Sequence, residues 1–523
     1  MTQTSAQEEE PGLPTIDIEG DGDLPTVGDQ VEDALVKQQA PIWQRGGMLC
    51  TVANEGVRTA GLKRDPSAPR IVTLSDIALM DVATRHIAFR RRNRKTKELV
   101  DCDCPRLVAQ TILARSGSPF PSLETVVEHP IMLPDGQVLW QRGYYAEAGI
   151  LLRPPISAYQ APIESPTAGD AYRALDLLLE LLSGFEFSSD VDESVALAFL
   201  LSPFVRPILP TCPAFAIDAH APGSGKSTLV RIASRMATGR DPAFMTFRDD
   251  PAEMNKLIFA ALLEGDQQIS IDNIDAPVSG ADLAVILTSP VFRGRVLGQS
   301  CTASVPTKAL LSLNGNNLQI RGDLTRRVLV ARLDPMCERP GERRFSFDPI
   351  SEVMGCRSEY VLAALTIMAA YIQSAQRVDV RPFGSFNEWS RLVREPLVWL
   401  GLPDPVDSIR VLEAADPERA QLGGMLQAVR QAVGAVDFKA AALIALSKAK
   451  NQAGVSGVPS IDAQHCDALR EALQAVCERN GELNSKALGR WLTRYAGRIN
   501  DGLRFVLARV VSGSAVWKVE EVG

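Results

Sequence analysis

The sequence predicts an α/β fold, and three features support that prediction. Short apolar runs typical of buried strands alternate with helical patterns between about residues 168 and 335. One of these runs, 214–217, leads through a glycine-rich loop directly into a helical pattern. The composition is that of a globular protein, with 46% hydrophobic and 23% charged residues. At 523 residues the chain is too long for a single hydrophobic core, so several domains are expected.

The patterns along the chain predict five segments. Residues 1–30 are acidic and poor in aromatic residues, which is typical of a disordered tail. Residues 31–160 mix short strands and helices, with a turn signal at Asp135-Gly136, and predict an N-terminal α+β domain. The remaining segments are an α/β core with its preceding helices at 161–345, a helical lid and linker at 346–433, and a C-terminal unit at 434–523. The last has three helices followed by two strands, the pattern of a winged helix.

The charged residues and the cysteines limit the cell compartment and the kinds of partner that are expected. Lysine and arginine number 55 against 63 acidic residues, so any contact with a polyanion must come from local basic patches. The nine cysteines are scattered without paired spacing, so neither a disulfide framework nor a zinc knuckle is expected. The N-terminus lacks the basic and then apolar order of a signal peptide, and prolines and an arginine interrupt the longest apolar stretch. We therefore expect a cytoplasmic protein with no membrane contact.

The glycine-rich loop has the residues of a phosphate-binding site. In such loops the backbone N–H groups converge on a β-phosphate, while Lys226 supplies charge and the Ser227 hydroxyl can ligate Mg²⁺. The usual pattern has a glycine five positions before Gly225, where this chain has His220. A plain glycine turn is the alternative, but it leaves the Gly-Lys-Ser-Thr order unexplained. We predict ATP and Mg²⁺ as cofactors, bound by Pro222, Gly223, Ser224, Gly225, Lys226, Ser227 and Thr228.

A second apolar strand ends in carboxylates. Gln268-Ile-Ser-Ile-Asp272 delivers Asp272 as a second Mg²⁺ ligand. Most ATPases of this kind have a glutamate base next, but here the residue is Asn273, which cannot accept a proton at neutral pH. Asp275 is the nearest substitute base. Alternatively, Asn273 orients the attacking water while a carboxylate elsewhere takes the proton.

A third strand ends in amides and precedes two arginines. Lys308-Ala-Leu-Leu-Ser-Leu313 runs into a cluster of asparagines, where we expect Asn316 to contact a γ-phosphate or the attacking water. Arg326 and Arg327 follow, and a guanidinium at that place can reach the γ-phosphate bound by a neighbouring subunit. The alternatives are an Asx turn for the asparagines and a solvated strand start for the arginines.

The order of these motifs resembles the AAA+ class, and their short spacings resemble superfamily-3 and minichromosome-maintenance-like replicative helicases. Further segments over roughly residues 40–405 are similar to the ATPase of primase-helicase proteins from phages and integrated mobile elements. These segments are Ser270-Ile-Asp-Asn-Ile-Asp275, Arg295-Val-Leu-Gly-Gln-Ser300, Asn314-Gly-Asn-Asn-Leu318, Arg321-Gly-Asp-Leu-Thr-Arg-Arg327 and Glu338-Arg-Pro-Gly-Glu-Arg343. The resemblance implies an AAA+ P-loop ATPase core in a homo-hexameric ring, with single-stranded or forked DNA threaded through its centre. No primase motif is evident, so a primase would be a separate polypeptide.

Three basic features are candidate DNA contacts. The resemblance places a hairpin, 291–306, in the central pore, with Arg293, Arg295 and Lys308 as phosphate contacts; a solvated hairpin is the alternative. The predicted third helix of the C-terminal unit aligns Arg490 and Arg494 on one face, together with Lys486 and Arg498. That face suits a DNA groove, although a winged helix can equally bind protein. The basic run 90–97 predicts a charged hairpin tip, either solvated or in contact with DNA.

The sequence thus predicts an ATPase that acts as a DNA helicase or translocase in the replication of a phage or mobile element. The alternative is an ATP-gated initiator or loading factor that binds DNA without processive unwinding. A third reading, favoured by Asn273, is a slow ATPase used for assembly or anti-phage sensing.

Overall fold

The computed structural model describes residues 12–19, 22–54, 62–154, 159–296, 302–337, 339–342, 347–415, 417–448, 463–479, 481–511 and 513–522. Over these residues the chain is a mixed α/β protein with several sheets. Its contacts divide it into two compact units. The larger comprises Met1–Gln319 with Arg326–Ile409, and the smaller comprises Ile320–Thr325 with Arg410–Gly523.

The first part of the larger unit packs three helices against small sheets. Its elements are β1 (Thr15–Ile18), α1 (Leu24–Lys37), β2 (Trp43–Arg45), β3 (Met48–Ala53), β4 (Leu62–Lys63), β5 (Arg70–Thr73), α2 (Asp76–His86), β6 (Ala88–Arg92), β7 (Leu99–Cys102), α3 (Arg106–Ala114), β8 (Thr125–Val127), β9 (Ile131–Met132), β10 (Val138–Leu139), β11 (Gly143–Tyr145) and β12 (Ile150–Leu152). Apolar side chains of α1, α2 and α3 form a core with those of β1 and β6. The predicted turn at Asp135-Gly136 is confirmed, since it joins β9 to β10 and Gly136 has a left-handed φ of +86°.

The predicted disordered tail over residues 1–30 is wrong from β1 onward. β1 pairs in parallel with β6, with Ile16 opposite Phe89, and α1 buries Val27 and Val31. The acidic composition of this segment obscured an alternating strand pattern and valines at helical spacing. Together these bury enough apolar surface to order the segment. Residues 1–11 of the predicted tail lie outside the described residues.

A six-stranded sheet forms the centre of the larger unit. The elements of this part are α4 (Ala168–Leu182), α5 (Asp190–Leu201), β13 (Ala214–Ala219), α6 (Lys226–Thr238), β14 (Ala243–Thr246), α7 (Pro251–Glu264), β15 (Gln268–Ile274), α8 (Ala281–Thr288), β16 (Val291–Arg295), β17 (Thr302–Pro306), β18 (Leu310–Asn316) and β19 (Val328–Leu333). The strand order is β19-β13-β18-β15-β14-β4, and all neighbours are parallel except β4 with β14. The four apolar runs predicted as strands of a parallel sheet are confirmed as β13, β15, β18 and β19.

β4 connects the predicted N-terminal domain to this sheet. It pairs antiparallel with β14 at the sheet edge, with Lys63 opposite Phe244. The residue after β4, Arg64, forms ion pairs with Glu264, the last residue of α7, and with Asp266, which lies between α7 and β15. A strand of two residues is too short to show a period, so the sequence carried no signal for this pairing.

Helices complete the larger unit. They are α9 (Pro349–Gly355), α10 (Arg357–Gln373), α11 (Asn387–Trp389), α12 (Glu395–Trp399) and α13 (Ser408–Ala415), which crosses into the smaller unit. A π-helical turn, Ser390–Arg394, joins α11 to α12. In the described part of the chain, no single helix has both the length and the apolar composition of a membrane span. α9 and α10 pass that test only when taken together, and they meet at 87°.

The smaller unit combines helices with a four-stranded antiparallel sheet. Its elements are α14 (Pro417–Val433), β20 (Phe438–Lys439), α15 (Ala440–Lys448), α16 (Ala463–Cys477), β21 (Glu478–Arg479), β22 (Glu482–Leu483), α17 (Ser485–Tyr495), β23 (Ile499–Asn500), β24 (Leu503–Val511) and β25 (Ser514–Glu521). The sheet order is β20-β25-β24-β23. Its core includes Leu443, Leu469, Leu488, Phe505 and Trp517, one from each of α15, α16, α17, β24 and β25.

A buried histidine makes the stability of the larger unit depend on pH. His129 is 1% exposed, its ring meets Phe204 edge-on at 5.1 Å, and its Nδ1 lies 2.9 Å from the carbonyl oxygen of Pro130. Burial lowers the pKa of His129 from its ordinary 6.5 to about 4. As pH falls, His129 of the unfolded chain binds a proton near pH 6.5, whereas His129 of the folded chain does so only near pH 4. Its contribution to the free energy of unfolding is therefore fully present above pH 6.5, and about 3 kcal/mol is lost as pH falls toward 4.

We expect the His129→Gln variant to lack this dependence. Its free energy of unfolding, measured in urea between pH 4.5 and 7, should fall less steeply with decreasing pH than that of the wild type. The control is Thr73→Ala, at an exposed position of β5, which removes no titrating group and should keep the wild-type slope. Equal slopes for wild type and His129→Gln would contradict the assignment, whatever the absolute stability of the variant.

Candidate active site

The glycine-rich loop connects the carboxyl end of β13 to α6, and two glycines determine its path. Gly223 and Gly225 have left-handed φ values of +77° and +99°. A Cβ on Gly225 would lie 3.0 Å from the Phe185 ring, so a side chain there would be both strained and crowded. Ser224 is buried, and its hydroxyl donates to the Ala221 carbonyl oxygen at 2.6 Å. The loop therefore has a defined shape that leaves its backbone close to α6.

Lys226 and Asn316 meet at the carboxyl edge of the sheet. β13 and β18 are adjacent and parallel, so the residues that follow their ends lie side by side. Lys226 Nζ donates to Asn316 Oδ1 at 2.7 Å and to the Ala221 carbonyl oxygen at 3.2 Å. Burial lowers the pKa of Lys226, and the carboxylates of Asp218 and Asp272 partly oppose that effect. Two residues that the sequence predicted for one site are thus in direct contact.

Asp272 and Asn273 lie near the end of the next strand, β15. Asp272 is half-buried, and its Oδ1 accepts a hydrogen bond from the Asn273 backbone N–H at 3.0 Å. Asn273 has a left-handed φ of +57°, where the pairing with β18 shifts register. Asparagine tolerates this conformation better than glutamate does, which gives a local reason for an amide at this position. Asp275, the predicted substitute base, is exposed and borders neither of the cavities next to the loop.

A cavity of about 580 Å³ lies against the loop. Residues 223–228 line it together with Leu181, Phe185 and residues 347–349. One part of the lining is apolar and aromatic, and the other is loop backbone at the start of a helix. A ligand with a flat apolar part and an anionic part suits this lining, and the volume is in the range of small-molecule sites.

A second cavity, of about 340 Å³, also borders Ser227. Its polar lining comes from Asp272, Asn273, Lys63 and Arg231. The hydroxyl of Ser227 and the carboxylate of Asp272 are oxygen ligands of the kind that Mg²⁺ prefers. The donor set therefore fits the predicted metal.

Arg326 and Arg327 lie away from the loop. They precede β19, and the Arg327 carbonyl oxygen accepts a hydrogen bond from the backbone N–H of Ala214, the first residue of β13. β13 runs six residues from there toward the loop, about 20 Å at the rise of a strand. Within one chain the arginine pair therefore does not reach a ligand at Lys226.

The predicted hairpin is present as β16 and β17, and its position in a pore stays a prediction. Arg293 and Arg295 are exposed on β16, while Phe292, just before them, is buried. Arg293 Nη2 lies 3.2 Å from Thr302 Oγ1 on β17. The far end of the hairpin, 297–301, lies outside the described residues.

Lys308 lies between the hairpin and β18, a central strand, and is half-buried. Its ammonium donates to the Leu209 carbonyl oxygen at 3.1 Å, and burial lowers the pKa of Lys308 to about 8. Its contact with DNA stays a prediction.

In the smaller unit, α17 presents the expected basic face. Arg490 and Arg494 are exposed, while Leu488 and Leu492 on the opposite side are buried. Arg494 Nη2 lies 3.3 Å from Glu418 Oε1, which lessens its free charge. Arg490 therefore remains the stronger candidate for a phosphate contact.

Sequence reasoning missed several residues around the loop. His220, where the usual pattern has glycine, has its Nδ1 2.9 Å from Asn317 Oδ1, so it contacts the turn after β18. Asp218 is a half-buried carboxylate whose pKa is raised by desolvation, and the signal for it was a lone acid in an apolar strand just before the loop. Lys63 and Phe185 gave no local signal, because only long-range packing brings them to the site.

The chain has no match among protein-family models or among curated proteins. Similar solved structures include two A form apo structures of the NrS-1 C-terminal region. One is 9% identical, covers 94% of this chain and 98% of that one, and has a TM-score of 0.40. The other is 11% identical, with coverage of 94% and 99% and a TM-score of 0.42. SCCmec type IV Cch, described as an active helicase, is 10% identical, with coverage of 92% and 97% and a TM-score of 0.35.

Proposed function

We propose that this chain is an AAA+ P-loop ATPase that drives a DNA helicase or translocase. The observation that carries the proposal is the contact between Lys226 and Asn316 beside a 580 Å³ cavity lined by the glycine-rich loop. Asn316 Oδ1 and a loop carbonyl now accept the hydrogen bonds of the ammonium, and phosphate oxygens would accept them in a nucleotide complex. The aromatic end of the cavity would hold the base, and the loop backbone the phosphates.

Ser227 and Asp272 would hold Mg²⁺ next to the phosphates. When bound, the metal neutralises phosphate charge, as in phosphoryl transfer generally. Asn316 would contact the terminal phosphate or orient water. Asn273 is an amide and cannot take the proton of the attacking water, so a carboxylate elsewhere would accept it.

The position of the arginine pair supports a ring. Arg326 and Arg327 lie at the amino end of the sheet, about 20 Å from the loop by strand rise, so they serve a nucleotide only across a subunit interface. A homo-hexamer would place the β16–β17 hairpin, with Arg293 and Arg295, toward single-stranded or forked DNA. The smaller unit would act as a winged helix through Arg490. We place this activity in the replication of a phage or mobile element, with a separate primase as partner.

Strand displacement tests the proposed motor. We expect the protein to displace one strand of a forked duplex in the presence of ATP and Mg²⁺, and we expect single-stranded DNA to stimulate its hydrolysis of ATP. The matched control is Lys226→Ala, which should bind the fork but displace nothing. Hydrolysis that no DNA stimulates, with no displacement on forks of either polarity, would contradict the proposal.

One observation favours the initiator or loading factor instead. Asn273 lies in a left-handed turn that disfavours a glutamate, so turnover without a base at this position would be slow. On that alternative, ATP would drive assembly on DNA, and a non-hydrolysable analogue would support DNA binding as well as ATP does. ATP-dependent strand displacement would exclude it.

A further inference from the structure

The smaller cavity at Ser227 has an excess of positive charge. Lys63 is exposed on its wall, and no ion pair of Lys63 occurs within the described ranges. Arg231 lies 3.4 Å from Asp241, a carboxylate that Arg235 also binds, at 2.7 Å. Two guanidiniums thus share one carboxylate. Among the described residues that line this cavity, Asp272 is the only acid, and the proposed metal would neutralise it.

Ion pairs of buried side chains near Lys63 hold its backbone in place. The adjacent residue, Arg64, is 8% exposed at its side chain, and its Nε donates to Asp266 Oδ1 at 2.6 Å. Arg70 Nη2, at the start of β5, lies 2.9 Å from Glu264 Oε1. These contacts fix the two-residue strand β4 against β14, so the Lys63 side chain projects from a rigid edge of the sheet. With the backbone of Lys63 already fixed, only the ordering of its side chain opposes the binding of an anion.

We propose that Lys63 and Arg231, on the wall of the smaller cavity, are counter-charges for the terminal phosphoryl group of the nucleotide and, after hydrolysis, for inorganic phosphate, in addition to the contacts expected from Lys226 and Asn316. This inference rests on the proposed ATPase function. Ser227 borders both cavities, so a triphosphate whose nucleoside lies in the larger cavity directs its end toward the smaller one. The N-terminal part of the chain thereby supplies a residue to the nucleotide site through β4.

Binding of inorganic phosphate in the presence of ADP and Mg²⁺ tests this role. Radiolabelled phosphate is measured by equilibrium dialysis with full-length wild type and with Lys63→Ala, Lys63→Arg and Lys37→Ala. Lys37 is exposed at the end of α1 and borders neither cavity, so it is the matched control. We expect Lys63→Ala to weaken phosphate binding about tenfold, the value of one charge-assisted contact, and Lys63→Arg and Lys37→Ala to stay close to wild type. ADP affinity, measured with a fluorescent analogue, should be unchanged in all three.

The two proposals fail in different ways. Wild type that binds ADP, together with Lys63→Ala that binds phosphate as tightly as wild type, would overturn the role of Lys63 and leave the ATPase proposal intact. An equal loss of phosphate affinity in Lys37→Ala would also overturn the role of Lys63, since the effect would then reflect the net charge of the protein alone. Wild type that binds no ADP would overturn the ATPase proposal and this inference with it.

Discussion

Replacing Lys226 by alanine is expected to lower ATP hydrolysis by about 10²–10³-fold. The ammonium is half-buried at the end of the glycine-rich loop, within 2.7 Å of Asn316 Oδ1 and 3.2 Å of a loop carbonyl oxygen. On the proposed function it would contact the β- and γ-phosphates, where negative charge develops during phosphoryl transfer. Alanine replaces the whole aminobutyl side chain by a methyl group, so the substitution removes that charge and leaves a residue that suits the backbone of α6. The measurement is phosphate release at saturating ATP and Mg²⁺.

Two controls make the Lys226 result specific. Lys256→Ala removes an exposed lysine of α7 that pairs with Glu253, and it should retain wild-type turnover. Asn316→Ala should lower turnover without changing ADP affinity, because its amide is expected to contact the terminal phosphate that ADP lacks. Full phosphate release by Lys226→Ala would refute the assignment of this loop as the ATP site.

The strands and the main residues of the candidate site were predictable because each strand of a buried parallel sheet is visible in the sequence as a short apolar run. β13, β15 and β18 are buried on both faces and read as apolar runs, and each ends near a polar residue of the site. Adjacent parallel strands bring those ends to one edge, which is why Lys226 and Asn316, ninety positions apart, are hydrogen-bonded. A short motif after each strand was therefore sufficient to locate the centre of the site.

The rest of the site depends on packing that leaves no local pattern. Lys63 reaches its cavity only because two residues of β4 pair with β14, and its support comes from ion pairs about 200 positions away. Asn273 has a left-handed φ, a conformation that asparagine tolerates but that the presence of an asparagine does not by itself predict. The partial burial of Lys308 is likewise not visible in its basic surroundings, because it arises where the chain enters a central strand.

Replacing both Arg326 and Arg327 by alanine is expected to lower turnover by about 10³–10⁵-fold, as the loss of an arginine finger does. Nucleotide affinity should change little, because the pair precedes β19 at the amino end of the sheet while the loop lies at its carboxyl end. The variant would therefore bind a fluorescent ATP analogue like wild type and release almost no phosphate. Retention of turnover would rule out both arginines as catalytic groups.

Mixing two inactive variants separates action across subunits from action within one chain. A Lys226→Ala subunit has intact arginines, and the doubly substituted arginine variant has an intact loop. If each arginine pair completes the site of its neighbour, mixed oligomers contain some interfaces with both parts, so the mixture recovers turnover that neither protein has alone. If the pair acts within its own chain, every mixed interface remains defective and no activity returns. Because a single chain holds the two parts about 20 Å apart by strand rise, we expect recovery, and its absence in verified mixed oligomers would contradict the ring mechanism.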